Sequence, residues 1–373
     1  MAAAVSTLGS GAYRHYLSPG EFRSAFGASQ SSIAAVRGYL SNQGLLVSGP
    51  SPNGLALTVD GPASVVAQVL RVGRFNNYEL PSGEVGYAAT GTPEVPAPLA
   101  SAVAGVIGLS SLAVATPANE FASSTNVPSR GPTGQASAVA ISADPEVSNC
   151  VGANSVADAY TAQDYASAYG LDSLYQQGHA GQGVTAAVFE LASYNSNDIA
   201  KYQQCYGTDV PIRNIGLSPG IRVGSGTGEV ELDIEDLLGL APKLSELEVY
   251  EAPPTGVGIY NEYSRIASDD SARVVSTSWG VCEPDAIGSG LLGAENTIFA
   301  EMALQGQTVV AATGDSGSEG CLRSDGSTAL AVSDPASQPY VTGVGGTTMV
   351  SPSSPPVETA WNESANPAGA GGG

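Results

Sequence analysis

From about Asp158 onward, short runs of apolar and β-branched residues alternate with segments in which apolar positions recur every three or four residues. The runs VTAAVF (184–189), LSELEVY (244–250), ARVVSTS (272–278), TVVAAT (308–313) and YVTGV (340–344) predict strands. Between them the pattern predicts helices near 197–205, 229–240, 258–269 and 289–306. Strands that are apolar along most of their length, each followed by a helix, predict an α/β architecture with a mostly parallel sheet covered by helices on both faces. In such sheets ligands and catalytic groups gather at the C-terminal ends of the strands. Glu190, Trp279 and Asp315 each closely follow a strand candidate, so chemistry is expected there.

The N-terminal part has a different pattern. SPGEFRSAF and SQSSIAAVRGYLSNQG read as helices, each opening at a serine able to cap it. LLVSGP and GLALTVDG read as short strands joined by Ser-Pro-Asn-Gly turn chemistry. ASVVAQVL reads as another helix and GRFNNYEL as another strand. Residues 1–80 are therefore expected to form a small α+β unit. From Pro81 to about Asn154 the chain is rich in Ala, Ser, Pro, Gly and Thr, a linker composition. Residues 155–373 make up the α/β unit.

Composition narrows the function. Thirteen Lys and Arg face thirty-five Asp and Glu, for a formal charge of −22. A nucleic-acid partner needs cations to neutralise phosphates, and an anionic membrane surface needs them too, so neither partner is expected. Acid would neutralise many of the carboxylates, and so few Lys and Arg leave little positive charge behind, which suits an acidic medium. A generic acidic soluble protein has the same composition, so charge alone does not decide between the two. The cysteines Cys150, Cys205, Cys282 and Cys321 have no zinc-site spacing. Their even number fits two disulfides formed in an oxidising compartment, with Cys282–Cys321 and Cys150–Cys205 the favoured pairing. No apolar run is long enough to span a bilayer. The start, MAAAVSTLGSGAYRHYLS, lacks the basic and apolar regions of a signal peptide. The expectation is that the natural N-terminus lies upstream.

The segment GEVELDIEDLLGLAP (228–242) holds five acids on one predicted helix. At about 100° per residue Glu229 and Asp233 share a stripe, and Asp233 falls among Val230, Leu237 and Leu240. Glu231 and Glu235 point the other way, toward expected solvent. A solvated acidic face is the plain reading. Yet two carboxyls side by side against leucines are costly unless they share a proton or gain hydrogen bonds, which makes them candidates for acid–base work. In ATGDSGS (312–318), Ser316 invites a chymotrypsin-like reading, but that fold is all-β and needs a histidine base. The two histidines, His15 and His179, sit in the first unit and in the Gly-rich stretch QQGHAGQG.

GEVELDIED, VVSTSWGVCE, AATGDSGSEG and PYVTGVGGTTM follow one another in this order, and ETAWNES precedes a Gly-rich run. Together they resemble the sedolisin, or serine-carboxyl peptidase, family. The stretches YRHYLSPGEFRSAFG and LLVSGPSPNGLALTVDG resemble that family's activation propeptide. The resemblance implies a subtilisin-like sheet preceded by a propeptide that acts as an intramolecular inhibitor. It implies a monomeric, secreted peptidase acting on peptides or proteins. It implies Glu229 as general base, Asp233 as its partner, Asp315 as the oxyanion-hole acid, and Glu190 and Trp279 as a supporting network. The family's nucleophile is a serine in a Gly-Thr-Ser motif. No such triplet occurs here, and GGTTM (345–349) is not that motif. The expectation is a precursor that stops short of the nucleophile and of the family's calcium ligands, and that as it stands does not turn over. Processing is expected between about Thr116 and Asn154, with acid loosening carboxylate contacts that hold the propeptide.

A carboxylate pair suits this chemistry because a histidine, with a reference pKa of about 6.5, is protonated in acid and cannot accept a proton. Three other readings compete. One is a non-catalytic scaffold on the same fold. Another is a subtilisin-like peptidase using His179. The last is a nucleotide-using α/β enzyme, for which no GxGxxG follows a strand.

Overall fold

The computed structural model describes residues 1–79, 85–113, 115–117, 160–216, 221, 224, 226–363 and 368–372. Its centre is a sheet of six parallel strands: β1 (Thr185–Glu190), β2 (Ile212–Gly216), β3 (Glu246–Glu251), β4 (Val274–Thr277), β5 (Thr308–Ala312) and β6 (Val341–Val344). The spatial order is β6-β5-β4-β1-β3-β2. The connecting helices are α1 (Ser196–Tyr206), α2 (Thr227–Leu240), α3 (Gly256–Asp269) and α4 (Leu291–Gln305). Both α2 and α3 pack on β1, and Ala186–Glu190 of that strand are all buried. A strand covered on both faces can be apolar without alternation, which is why VTAAVF was legible as a buried strand.

The edge strand β2 was not expected. Arg213 and Asn214 interrupt its apolar run because one side faces water, where Arg213 pairs with Glu246 at 2.7 Å and also with Glu248. The chain runs from β1 outward to β2, returns to β3, and then crosses to β4 on the other side of β1. The sheet therefore reverses direction beside β1, and the crevice at its C-terminal end is where such folds bind ligands.

The N-terminal unit contains the expected helices Pro19–Phe26, Gln30–Asn42 and Ala63–Leu70. Ser18 and Glu21 form a reciprocal capping box on the first, and Ser29 caps the second. Leu46–Ser48 pairs antiparallel with Thr58–Asp60. The folded unit extends beyond residue 80. Val85–Ala89 pairs with Phe75–Glu79, Ala89 N–H donates to Leu109 O at 2.9 Å, and Val95, Val106 and Leu109 pack on Ala67, Leu70 and Val72. Small residues in this stretch gave it a linker composition, but scattered valines and leucines close a second small core. Most of the remaining linker, 118–159, lies outside the described residues.

The unit docks on α3 and α4. Ala2, Val5 and Phe22 bury against Leu304, and Leu17 N–H donates to Leu304 O at 2.9 Å. Asn53, 2% exposed, reaches Glu301 and Ser264.

Candidate active site

Glu190 ends β1, and its backbone N–H donates to Glu262 Oε1 on α3 at 2.9 Å. Its side chain is fully buried, and its Oε2 accepts a hydrogen bond from Trp279 Nε1 at 2.8 Å. Trp279 opens the strand Trp279–Cys282, two residues beyond β4. The sequence placed both residues at strand ends, and the fold brings those ends together across the point where the sheet reverses.

Helix α2 delivers the acid pair. It starts after Gly226, whose φ of +93° suits glycine and whose position leaves no room for a side chain. A Cβ there would stand 2.6 Å from Trp279 Cη2 and 3.2 Å from the Ala192 methyl. Glu229 lies in the first turn of α2, where the helix dipole favours an anion, and is 1% exposed. Asp233, one turn on, accepts a hydrogen bond from Ser278 Oγ at 2.7 Å and lies within hydrogen-bond reach of Glu190. Burial raises the Asp233 pKa to about 6, the Ser278 hydrogen bond opposing that rise. Burial also pushes Glu190 well above the carboxylate range, with Asp233 the next cause. These acids titrate together, as carboxyls sharing protons do.

Glu231 and Glu235 do not face open solvent as expected. Both are half-buried, and Glu231 Oε1 accepts from Asn195 N–H at 3.1 Å. Burial raises Glu235 to about 7. Helix α2 lies between the sheet and α1, so its second face is covered too, and Leu232 and Asp236 point outward instead.

Asp315 follows β5. With Gly280, Arg323 and Ser333 it lines a cleft. Arg323 Nη1 stands 3.4 Å from Asp315 Oδ2. The backbone of 368–372 closes over this turn: Gly369 N–H donates to Asp315 O and Gly371 N–H to Gly314 O, each at 2.8 Å. A Cβ on Gly371 would lie 1.9 Å from Thr313 O, so only glycine fits. The Cys282–Cys321 disulfide forms as expected, with Cα atoms 4.9 Å apart, and ties the Trp279 strand to the loop after Asp315. The Cys150–Cys205 pair involves Cys150, which lies outside the described residues.

Three contributors were missed in the sequence. Ser278 is flagged only by its place beside Trp279, and Glu262 gave no signal at all. The third is Thr116–Pro117, which pairs antiparallel with Trp279–Gly280 and lines the cleft beside Asp315. Its neighbours Ala113 and Ala115 are buried in the core of the α/β unit. His15 and His179 are exposed, and His179 precedes the N-terminal end of β1, away from the strand ends that gather the acids.

The comparisons agree with this geometry. Residues 1–112 match the model of the pro-kumamolisin activation domain, and 223–367 match that of the subtilase family. Xanthomonalisin of Xanthomonas sp. (strain T-22) is 30% identical across 97% of this chain and 45% of its own length. Sedolisin of Pseudomonas sp. (strain 101) is 31% identical across 97% and 60%, and kumamolisin of Bacillus sp. (strain MN-32) 30% across 96% and 62%. The chain thus spans about half to three-fifths of the length of these relatives. The structure of Pseudomonas sedolisin, a serine-carboxyl proteinase complexed with two molecules of pseudo-iodotyrostatin, superposes with a TM-score of 0.51 at 30% identity, over 58% of this chain and 63% of that one. With an activation domain docked on α3 and α4 and a six-stranded parallel sheet whose strand ends collect buried acids, this chain joins a pro-kumamolisin activation domain to a subtilase-like domain, and the relatives it matches are peptidases of the sedolisin family.

Proposed function

We propose that the chain is part of a secreted precursor of a peptidase that works in acid through an acyl-enzyme. The observation that carries this reading is the buried constellation of Glu229, Asp233 and Glu190, tied by Trp279 and Ser278 and free of any histidine. In this scheme Glu229 takes the proton from a serine hydroxyl as its oxygen attacks the peptide carbonyl, and then returns that proton to the leaving amine. Asp233 and Glu190 hold Glu229 in a basic form at a pH where an imidazole would be protonated. Asp315, when protonated, donates to the developing oxyanion, and Arg323 adds positive charge beside it. The serine comes from a Gly-Thr-Ser motif, which does not occur in these 373 residues.

The Cys282–Cys321 disulfide supports an oxidising, extracellular setting. Among the described residues no helix is long and apolar enough to cross a membrane. Nor, among them, does any group of three or more His, Cys, Asp or Glu fit a metal ion, so no residue here is assigned to the calcium expected of the family. The N-terminal unit acts as an inhibitor in cis by laying Thr116–Pro117 along Trp279–Gly280, where a substrate strand would bind.

The test is a pH–rate profile of the protein in which this chain is joined to the serine motif. Activity should rise below about pH 5, and Glu229→Gln should reduce turnover by about 10²–10⁴-fold. Activity peaking near neutrality and indifferent to Glu229 would sink the reading.

A further inference from the structure

Two carboxyl groups outside the constellation around Glu229 meet in the core. Glu295 lies on the inner face of α4, and Asp334 lies in the two-residue strand Ser333–Asp334; each is 1% exposed. Their side chains are within hydrogen-bond reach of each other. Among the described residues no ion pair reaches either one. Two buried carboxyls at such a distance, with no cation, cannot both ionise at tolerable cost, so one proton is shared. The surroundings show where it sits. Asp334 Oδ1 accepts from Gln338 Nε2 at 2.6 Å, and Gln338 is fixed by donating to Leu292 O at 3.1 Å and accepting from Asn296 Nδ2 at 3.0 Å. Asp334 is therefore the acceptor of the pair and Glu295 the acid that donates to it. The other groups facing the pair are the Tyr263 hydroxyl from α3 and, toward Asp334, the carboxylate of Glu283. Neither supplies positive charge.

The position of the pair gives it a consequence. Ser333–Asp334 pairs antiparallel with Val281–Cys282, on the strand that opens with Trp279. A Cβ on Gly280 would lie 3.3 Å from Asp334 O, and one on Gly314 would lie 2.8 Å from Ser333 Oγ. The Ser333–Asp334 segment is thus wedged between the Trp279 strand and the turn that carries Asp315, and Glu295 is its tether to α4.

We infer that Glu295 is a positioning residue: through one proton shared with Asp334 it fastens α4 to the strand pair that carries Trp279 and flanks Asp315, and it loosens that strand pair when the proton is lost. The clamp stands on the packing alone; its effect on peptide cleavage rests on the reading above.

The experiment uses the full 373-residue chain with Trp361→Phe, which leaves Trp279 as the sole indole. Unfolding equilibria and Trp279 emission are followed from pH 4 to 8. Each proton held by the folded chain and released on unfolding changes the unfolding constant by about tenfold per pH unit. Glu295→Gln donates permanently from its amide, so the pH slope should fall by up to about that one proton while emission on the acid side stays the same. Asp334→Asn, which donates from the other side, should flatten the slope likewise, and stands in if the first variant does not fold. Glu295→Leu, with no donor, should shift Trp279 emission at every pH. The same comparisons in a Glu190→Gln background remove the titration of the acid that touches the indole. If the amide variants keep the parent slope, or the leucine variant leaves emission unmoved, the inference fails.

Discussion

The side-chain amide of Asn53 donates to Glu301 Oε2 at 2.8 Å, and this one hydrogen bond joins residues 248 positions apart, in the activation unit and on α4. Burial raises the pKa of Glu301 to about 7, with the Asn53 and Gln305 hydrogen bonds opposing the rise. Undocking would expose the carboxyl and return it toward its reference value of about 4.3. The docked state therefore binds the proton more tightly. The contribution of this contact is fully present below about pH 4.3 and is lost as pH rises through about 7. That sign is opposite to the acid loosening expected for carboxylates at this interface, so this contact does not supply such loosening. Glu301→Gln should make docking less sensitive to pH over this window, and Asn53→Ala should weaken it throughout. Amide hydrogen exchange at Leu17, normalised to intrinsic rates, reads both effects. Equal pH dependence in parent and Glu301→Gln would refute the assignment.

The same sign governs the whole α/β unit. Burial is the first cause of the raised pKa at Glu190, Glu262 and Glu295, at Asp233 (about 6) and at Glu235 (about 7). A carboxyl raised in the folded state stabilises the fold below its unfolded pKa and loses that contribution as pH climbs through the folded value. Thermal midpoints should therefore be highest near pH 4 and fall steadily from about pH 5 to 8, the reverse of the usual pattern for salt-bridged acids. Melting curves across that range decide it; a maximum at neutrality would contradict the buried cluster.

Gly226 holds the start of α2 against the Trp279 ring. An alanine there would adopt a left-handed φ of +93° and push a methyl into Trp279 Cη2. Strain and overpacking together should cost about 1–3 kcal/mol. The displaced indole should also lose its hydrogen bond to Glu190 and shift its emission. Denaturant titration and fluorescence of Gly226→Ala measure the two effects separately.

The Cys282–Cys321 bridge closes a loop with a sequence separation of 39 that contains Asp315. Loop-closure entropy assigns such a bridge about 4 kcal/mol, and measured values run about 2–5 kcal/mol in small secreted domains. The double serine variant should lose stability on that scale. It should also increase hydrogen exchange in the Asp315 turn more than in β1, since only the former hangs from the bridge.

Much of this architecture was legible because its information is local. VTAAVF is buried on both faces and reads as a strand without alternation, TVVAAT reads as a strand from its β-branched run with Val309 and Ala311 buried, and Ser18 and Ser29 announce the helices they cap. The spacing of Glu229 and Asp233 already placed them on one stripe of α2. What stayed hidden is set by tertiary contact. Strand β2 faces water at Arg213, so its pattern is broken. Glu235 is half-covered by a helix that its own periodicity cannot reveal. Glu262 and Glu295 look like ordinary helix-surface acids until α3 and α4 turn them inward.

Thr116–Pro117 is the clearest example of that limit, and it leads to the last prediction. Its residues read as linker, yet they complete a sheet with Trp279–Gly280, and the burial of Ala113 and Ala115 anchors the segment. Ala115 is 5% exposed, so a large side chain cannot enter without displacing its surroundings. Ala115→Trp should expel the strand from the cleft and leave the rest of the activation unit docked through Asn53 and Phe22. The freed edge of Trp279–Gly280 should then accept an extended peptide in trans, seen as saturable binding of a fluorescent peptide aldehyde that the parent chain excludes. Binding of equal strength to parent and variant would mean that Thr116–Pro117 does not cover the cleft.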